Sequence, residues 1–437
     1  MPTKKSIVPQ KLIHLRNQFN ARMLKFALSS LIICILLCGH IMAQSSKVDS
    51  SEMKTLRVDP LAARGATVSQ FFDEVTFTPL ETTKESLFGA IQQLKMTDEH
   101  YVVYDWETKA VLIFTKAGKY MAKINASKIE KDPDVKDQSF YGFNIVKEDD
   151  KQAIQISAGK QVYYFDFAGK LIKKVPVPKE KNYANYKKFS DGTVIDQNFL
   201  EKNEKDSTYY YLSLIKDNKK VESYFSYKTE DRKGDDRWHG GRVYDYGNPD
   251  EFLFIKNYQY NIYKLTSKKL SLAYRIYFPA ANSLPMDYGT NPIYKGKAFD
   301  YYEKNRDAFY EMTNSYLHFN NLYFQVRNFN WSRDEKKAFV YNLNTAELTS
   351  IADIEPDSTS QFLPVTDLAS QYDFTNKGFL IVSPEYFYTS YSSLTLFTAK
   401  EQNEEKNRQY DAVLTQFFKT QNKKSNPVII KLKPKKN

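Results

Sequence analysis

The sequence predicts an all-β protein: a six-bladed β-propeller with a rim insertion and a short C-terminal helix. Three observations lead there. A hairpin-like segment returns about every 50 residues. That spacing holds four strands of ordinary length with their turns, which is one blade. A strand-like run before the first copy also has a counterpart after the last, as a closed ring requires.

The two clearest copies, residues 114–124 and 165–175, align without a gap. Phe114 matches Phe165, Ala117-Gly118-Lys119 matches Ala168-Gly169-Lys170, and Lys123 matches Lys174. Self-similarity at a fixed period marks a repeat architecture. The central Gly supplies the positive φ of a tight turn. Asn218 stands at the third such turn and Ser267 at the fourth; Asn is the next best residue in a left-handed turn. A degenerate fifth copy lies at residues 341–348 and a weak sixth at 394–400.

Between the fourth and fifth turns the spacing grows by roughly half a repeat. The excess falls in residues 279–312, with Pro285, Gly289, Pro292 and Gly296 before a charged, aromatic stretch at 300–310. This predicts an inserted loop with a short helix on one rim; the plainer reading is a spacer. For ring closure, residues 75–80 pair with residues 427–432, unless the latter are a frayed tail. Residues 401–420 read as helical, with Ala412, Leu414, Phe417 and Phe418 on a partial apolar face.

The 437 residues divide into 1–44, a signal peptide; 45–70, a flexible lead-in; and 71–433, the propeller. The first segment has six Lys or Arg and no acid, then an apolar run too short for a confident membrane span. An uncleaved anchor is the alternative. Export implies a periplasmic or cell-surface location. Without this segment the formal charge of +11 falls to +5, spread among interspersed acids, so nucleic acid is excluded as a partner. Both cysteines, Cys34 and Cys38, lie in the apolar run, so the mature chain has no thiol chemistry. The residues before them, Ile33 and Leu37, are not the small residue a lipoprotein signal wants, so a lipid anchor is disfavoured.

The chemistry-bearing residues are sparse. Beyond residue 44 there are three histidines, His100, His239 and His318, with no metal-ligand spacing, so no metal and no cofactor is expected. The run Asp132-Pro133-Asp134 with Asp137 lacks the turn Gly and terminal Glu of a calcium loop. One cluster stands out: Asp235, Asp236, Arg237, Trp238, His239 and Arg242 lie on a Gly-containing loop between the third and fourth repeats. Arg suits a carboxylate or phosphate and Trp suits stacking, so this loop is a candidate site for an anionic or sugar ligand. His239 with Asp235 or Asp236 is also a conceivable acid/base pair. The plainer reading is a polar loop whose charges pair with one another. Arg327, Trp331 and Arg333 interrupt the fifth repeat and are candidates for the same rim; there the plainer reading is a long hairpin turn.

The run Phe77-Thr78-Pro79-Leu80-Glu81-Thr82-Thr83, with Ile91, Val103-Tyr104-Asp105 and Ile113-Phe114 ahead of Gly118-Lys119, resembles the opening of secreted bacterial six-bladed β-propellers of the NHL-like type. Asn426-Pro427-Val428-Ile429 resembles their closing strand. The resemblance implies fold and compartment and carries over no catalytic residue. Two functions remain in competition. One is a non-catalytic envelope module binding a protein, glycan or peptide. The other is a hydrolase or lyase acting on a sugar or peptide at the channel mouth. Fold alone does not choose between them.

Overall fold

The structure, a computed structural model, describes residues 46–129, 140–148, 151–177, 186–197, 200–202, 207–248, 250–330, 336–365 and 379–436. Six antiparallel sheets follow one another along the chain as the blades of a propeller. Blade one is Gln93–Met96, His100–Asp105, Ala110–Thr115 and Tyr120–Asn125. Blade two is Asn144–Glu148, Lys151–Ala158, Gln161–Phe165 and Leu171–Pro176. Blade three has Val194–Asp196, Tyr209–Lys216 and Lys219–Tyr227, with Lys188 bridged to Val194 on its inner side. Blade four is Gly241–Asp245, Phe252–Lys256, Asn261–Leu265 and Leu270–Tyr277. Blade five is Glu311–His318, Asn321–Arg327, Ala338–Asn342 and Leu348–Glu355.

Blade six closes the ring. Ile381–Val382 and Phe387–Tyr391 are followed by Val428–Pro434, and Val428–Pro434 pairs with Phe72–Pro79 from the other end of the chain. The register sets Val428 opposite Pro79, Ile430 opposite Phe77 and Leu432 opposite Val75. The predicted closure therefore forms, and it covers two strand edges that would otherwise be open.

Apolar strand runs are buried on both faces because each blade packs between two others. In Ala110–Thr115, Val111 and Ile113 face Ile154 and Ile156 of blade two. Leu112 and Phe114 face Tyr388 and Ile429 of blade six. A continuous apolar run is the sequence form of a strand covered on both sides. The turns behave as their residues dictate. Gly118 has φ +79°, Gly169 +70° and Asn218 +59°. Gly118 is also excluded from carrying a side chain by a neighbour, since a Cβ there would stand 2.2 Å from the Pro79 carbonyl oxygen.

Two expectations are corrected. Residues 45–70 are not a free lead-in over their described part. From Ser46 onward the chain runs as a belt along the outer edges of the blades. Ser46 donates to the Ser223 carbonyl of blade three. Lys54–Arg57 lies parallel to the outer strand of blade four, and Arg64–Thr67 parallel to that of blade five. The belt was missed because edge pairing satisfies backbone groups whatever the side chains are. Its trace in the sequence is the spacing of Leu56 and Val58, belt residues whose side chains are buried. The sixth hairpin is not at 394–400, which lies in helix α2 (Ser393–Gln402); α1 is Ala298–Lys304 and α3 is Ala412–Thr420. Ser392 accepts a hydrogen bond from Thr395 N at 3.2 Å and starts that helix, and Leu396 is buried in the core. The outer pair of blade six, Val428–Pro434 with Phe72–Pro79, comes from two distant parts of the chain and needs no hairpin turn; the turn at Ser383 to Tyr386 joins the first two strands of that blade.

Consecutive strands alternate direction, so the connections from one blade to the next emerge on the same face as those between second and third strands. The long segments 228–240, 278–310 and 392–427 all belong to this loop face. The tight turns at Gly118, Gly169 and Asn218 lie on the opposite face. His100 and His318 also mark turns there. His100 is bonded to Thr97 Oγ1, and His318 Nε2 lies 3.1 Å from the Pro384 carbonyl.

Candidate functional site

The 228–240 segment and the 278–310 insertion meet on the loop face, and the charged cluster is what joins them. Arg237 forms a two-pronged pair with Asp235: Nε donates to Oδ1 and Nη2 to Oδ2, each at 2.7 Å. The Arg237 backbone N–H adds a bond to Oδ1 at 3.0 Å. His239 Nε2 lies 2.7 Å from Asp235 Oδ2. The remaining Arg237 nitrogen, Nη1, donates to the carbonyls of Tyr288 and Asn291 in the insertion. The three side chains are 1–7% exposed.

The electrostatics follow from that enclosure. Burial pushes the Asp235 carboxyl up, but Arg237 and His239 outweigh it and hold the group at about 2. Burial also pushes the His239 imidazole below its ordinary value, with Asp235 opposing. Asp236 points the other way and accepts from Ala298 N at 2.9 Å. It thus caps α1, whose own N-cap residue, Lys297, makes no side-chain bond. Above this clasp Leu284, Tyr288 and Tyr302 of the insertion are buried together with Tyr258 of blade four in one aromatic core. Asp235, Arg237 and His239 are turned inward, and the acid/base pair raised by their proximity is not open to a substrate.

The other candidates remain at the surface. Trp238 is 62% exposed, its carbonyl held by Asn257 Nδ2 at 2.9 Å. Arg242, on the first strand of blade four, reaches across the seam to blade five. Its Nε lies 3.2 Å from Glu311 Oε1. Arg327 stands opposite Glu311 in the blade-five sheet and places Nη1 3.5 Å from Glu311 Oε2. The Glu311 side chain is 8% exposed, while those of Arg242 and Arg327 are 54% and 36% exposed. One buried carboxylate therefore steers two part-exposed guanidinium groups from different blades toward one seam. Trp331 and Arg333 lie outside the described residues.

Sequence reasoning missed Glu311, which only the blade-five register sets opposite Arg327. Trp106 also stands outside the candidates drawn from the sequence. Trp106 is half exposed, and its ring lies 5.1 Å from that of Tyr141, which is itself largely exposed. Both belong to connections on the loop face. Among the described residues no cluster of His, Cys, Asp and Glu is arranged to hold a metal, and no helix is long and apolar enough to cross a membrane.

The chain belongs to the family described as a domain of unknown function, DUF4934, whose model matches residues 59–433. No curated protein matches the sequence. Among solved structures, a candidate exported protein from Bacteroides fragilis NCTC 9343 is 14% identical with a TM-score of 0.57, covering 87% of this chain and 100% of its own. That likeness shows the six-bladed fold. A member of the DUF4221 family from Bacteroides vulgatus ATCC 8482 is 10% identical with a TM-score of 0.39, covering 82% of this chain and 98% of its own.

Proposed function

We propose that this protein is an exported, non-catalytic binding module of the cell envelope, of the NHL-like kind, that takes an acidic glycan or peptide on its loop face. The observation that carries the reading is the pair Arg242 and Arg327, drawn together from two blades by one buried Glu311. Guanidinium groups held this way present planar, paired donors to a carboxylate. Exposed Trp238 and the Trp106–Tyr141 pair offer ring faces to sugar or side-chain carbons on the same side of the molecule. Export rests on the basic and apolar first 44 residues, with the exported character of the Bacteroides fragilis structure in support. Against the alternative of a hydrolase or lyase stands the use of Asp235 and His239 in the clasp.

Titration calorimetry with oligogalacturonate and with a Glu-rich peptide, each against its uncharged counterpart, tests this. At low salt the acidic form of one probe binds and its neutral form does not. Replacing Arg242 and Arg327 together by Ala weakens that binding at least tenfold, and Trp238→Ala weakens it without changing thermal stability. Equal binding of charged and neutral probes, or no effect of the double replacement, overturns the reading.

A further inference from the structure

The belt covers the outer edge of blade four and leaves a new edge of its own. Lys54–Arg57 runs parallel to Leu270–Tyr277, with Thr55 opposite Arg275 and Arg57 opposite Tyr277. The Val58 N–H donates to the Tyr277 carbonyl at 3.0 Å. Successive residues of a strand send their backbone groups to opposite sides. Leu56 and the Val58 N–H therefore turn to blade four, and Thr55 and Arg57 send N–H and C=O away from it. Among the described residues nothing pairs with these outward groups. Such an open row of donors and acceptors is a template for a further strand.

The side chains alternate as well. Leu56 and Val58 sink into the core shared with blade five, while Thr55, Arg57 and Asp59 stand exposed on the other face. There they line a groove of about 600 Å³ together with Tyr277 and Pro279. Tyr277 is half exposed, and Arg275 lies on the same face two residues before it. The charges around the edge are mostly positive: Lys54, Arg57 and Arg275 against Asp59. Asp59 Oδ1 is already engaged by the Leu61 N–H at 3.0 Å. Arg57 makes no ion pair among the described residues.

We propose that the outer edge of Lys54–Arg57 takes an extended acidic peptide of a partner protein as an added strand. Thr55 and Arg57 each give it one N–H and one C=O. Alternate side chains of the peptide lie over the groove, a carboxylate against Arg57 and an apolar group against Tyr277 and Pro279. Charge selects this occupant over a second copy of the chain. Two belts paired edge to edge would set Lys54 and Arg57 of each against like charges of the other, which is destabilising. An acidic strand reverses that sign. The site is separate from Arg242 and Arg327, which stand on the first and second strands of their blades.

The test uses the whole chain and a fluorescein-labelled octapeptide alternating Glu and Val. Binding is read by fluorescence anisotropy and by amide hydrogen exchange of residues 54–57. One control peptide has Lys in place of Glu. The other is the Glu peptide N-methylated along its length, which keeps every side chain and charge and loses its backbone donors. The Glu peptide is expected to bind roughly tenfold or more tightly than either control and to slow exchange at the Thr55 and Arg57 amides. Slowed exchange at these two amides puts the peptide on the belt whether or not the loop face also binds it. Arg57→Glu is expected to weaken binding by roughly tenfold. Thr55→Pro removes one outward N–H and no bond to blade four, so it weakens binding several-fold with the urea midpoint unchanged. The wild-type exchange data decide the matter even if a variant folds poorly. Equal binding of the N-methylated peptide, or unchanged exchange at Thr55 and Arg57, overturns the proposal. So does protection of these amides in the chain alone that is lost on dilution, which would give the edge to a second copy.

Discussion

Replacing Asp235 by Asn tests whether the charged loop is a clasp. The Asp235 carboxylate is 1% exposed and receives two bonds from the Arg237 guanidinium, one from the Arg237 backbone and one shared with His239. Asn conserves the volume and removes the charge. The Arg237 guanidinium, 3% exposed, then keeps the Tyr288 and Asn291 carbonyls and at most one amide-oxygen acceptor at position 235, with no counter-charge. Breaking one partner of a buried ion pair costs about 3–5 kcal/mol, a large part of a typical net stability of about 5–15 kcal/mol. The loss falls on the joint between the 228–240 segment and the insertion, which also shares an aromatic core with Tyr258 of blade four. The assay is therefore urea denaturation combined with amide hydrogen exchange of residues 284–302. We expect a stability loss of about 3 kcal/mol or more, or loss of exchange protection confined to that segment. Asp235→Leu with Arg237→Met removes both charges and is expected to restore most of what Asp235→Asn loses. A variant within about 0.5 kcal/mol of wild type, with exchange unchanged, would refute the clasp.

Acidification should act on the same network in two stages. His239 has its folded pKa below 6.5, so the unfolded chain takes up the proton first. Its contribution is present above pH 6.5 and is lost as pH falls toward the folded value. Asp235 is lowered from 3.8 to about 2, so its contribution, about 2 kcal/mol, is present above pH 3.8 and is lost on falling through pH 2. Urea midpoints measured down a pH series check this, and a flat profile between pH 7 and 5 would contradict the His239 part. Deleting residues 427–437 should prevent folding. Val428, Ile429, Ile430 and Leu432 are all fully buried, and losing about 1.5–3 kcal/mol for each approaches the net stability of a domain. Circular dichroism of a truncated chain that still melts cooperatively near the wild-type temperature would exclude closure by this strand.

Much of the fold was legible because the information is local. Gly118, Gly169 and Asn218 each solve a turn with positive φ, and their spacing counts blades without any knowledge of contacts. The closing strands were legible for a similar reason: Val75 to Pro79 and Val428 to Leu432 are apolar and β-branched at the two ends of the described ring. Where the signal was neither periodic nor apolar, the reading failed. The belt at Lys54–Arg57 and Arg64–Thr67 pairs through its backbone, so its side chains carry little trace of it. The stretch at 394–400 lacks any residue suited to a left-handed turn and became a helix once Ser392 capped it.

The candidate site divides in the same way. Composition alone located the loop with Asp235, Arg237 and His239, and named Arg242 and Arg327. Only the packing of blades determined that the first three turn inward while the last two share Glu311 across a seam. A sequence fixes which charges exist and how often a strand must turn. Whether a charge is desolvated and what it meets depends on residues tens of positions away, and those distances exist only once the ring has closed.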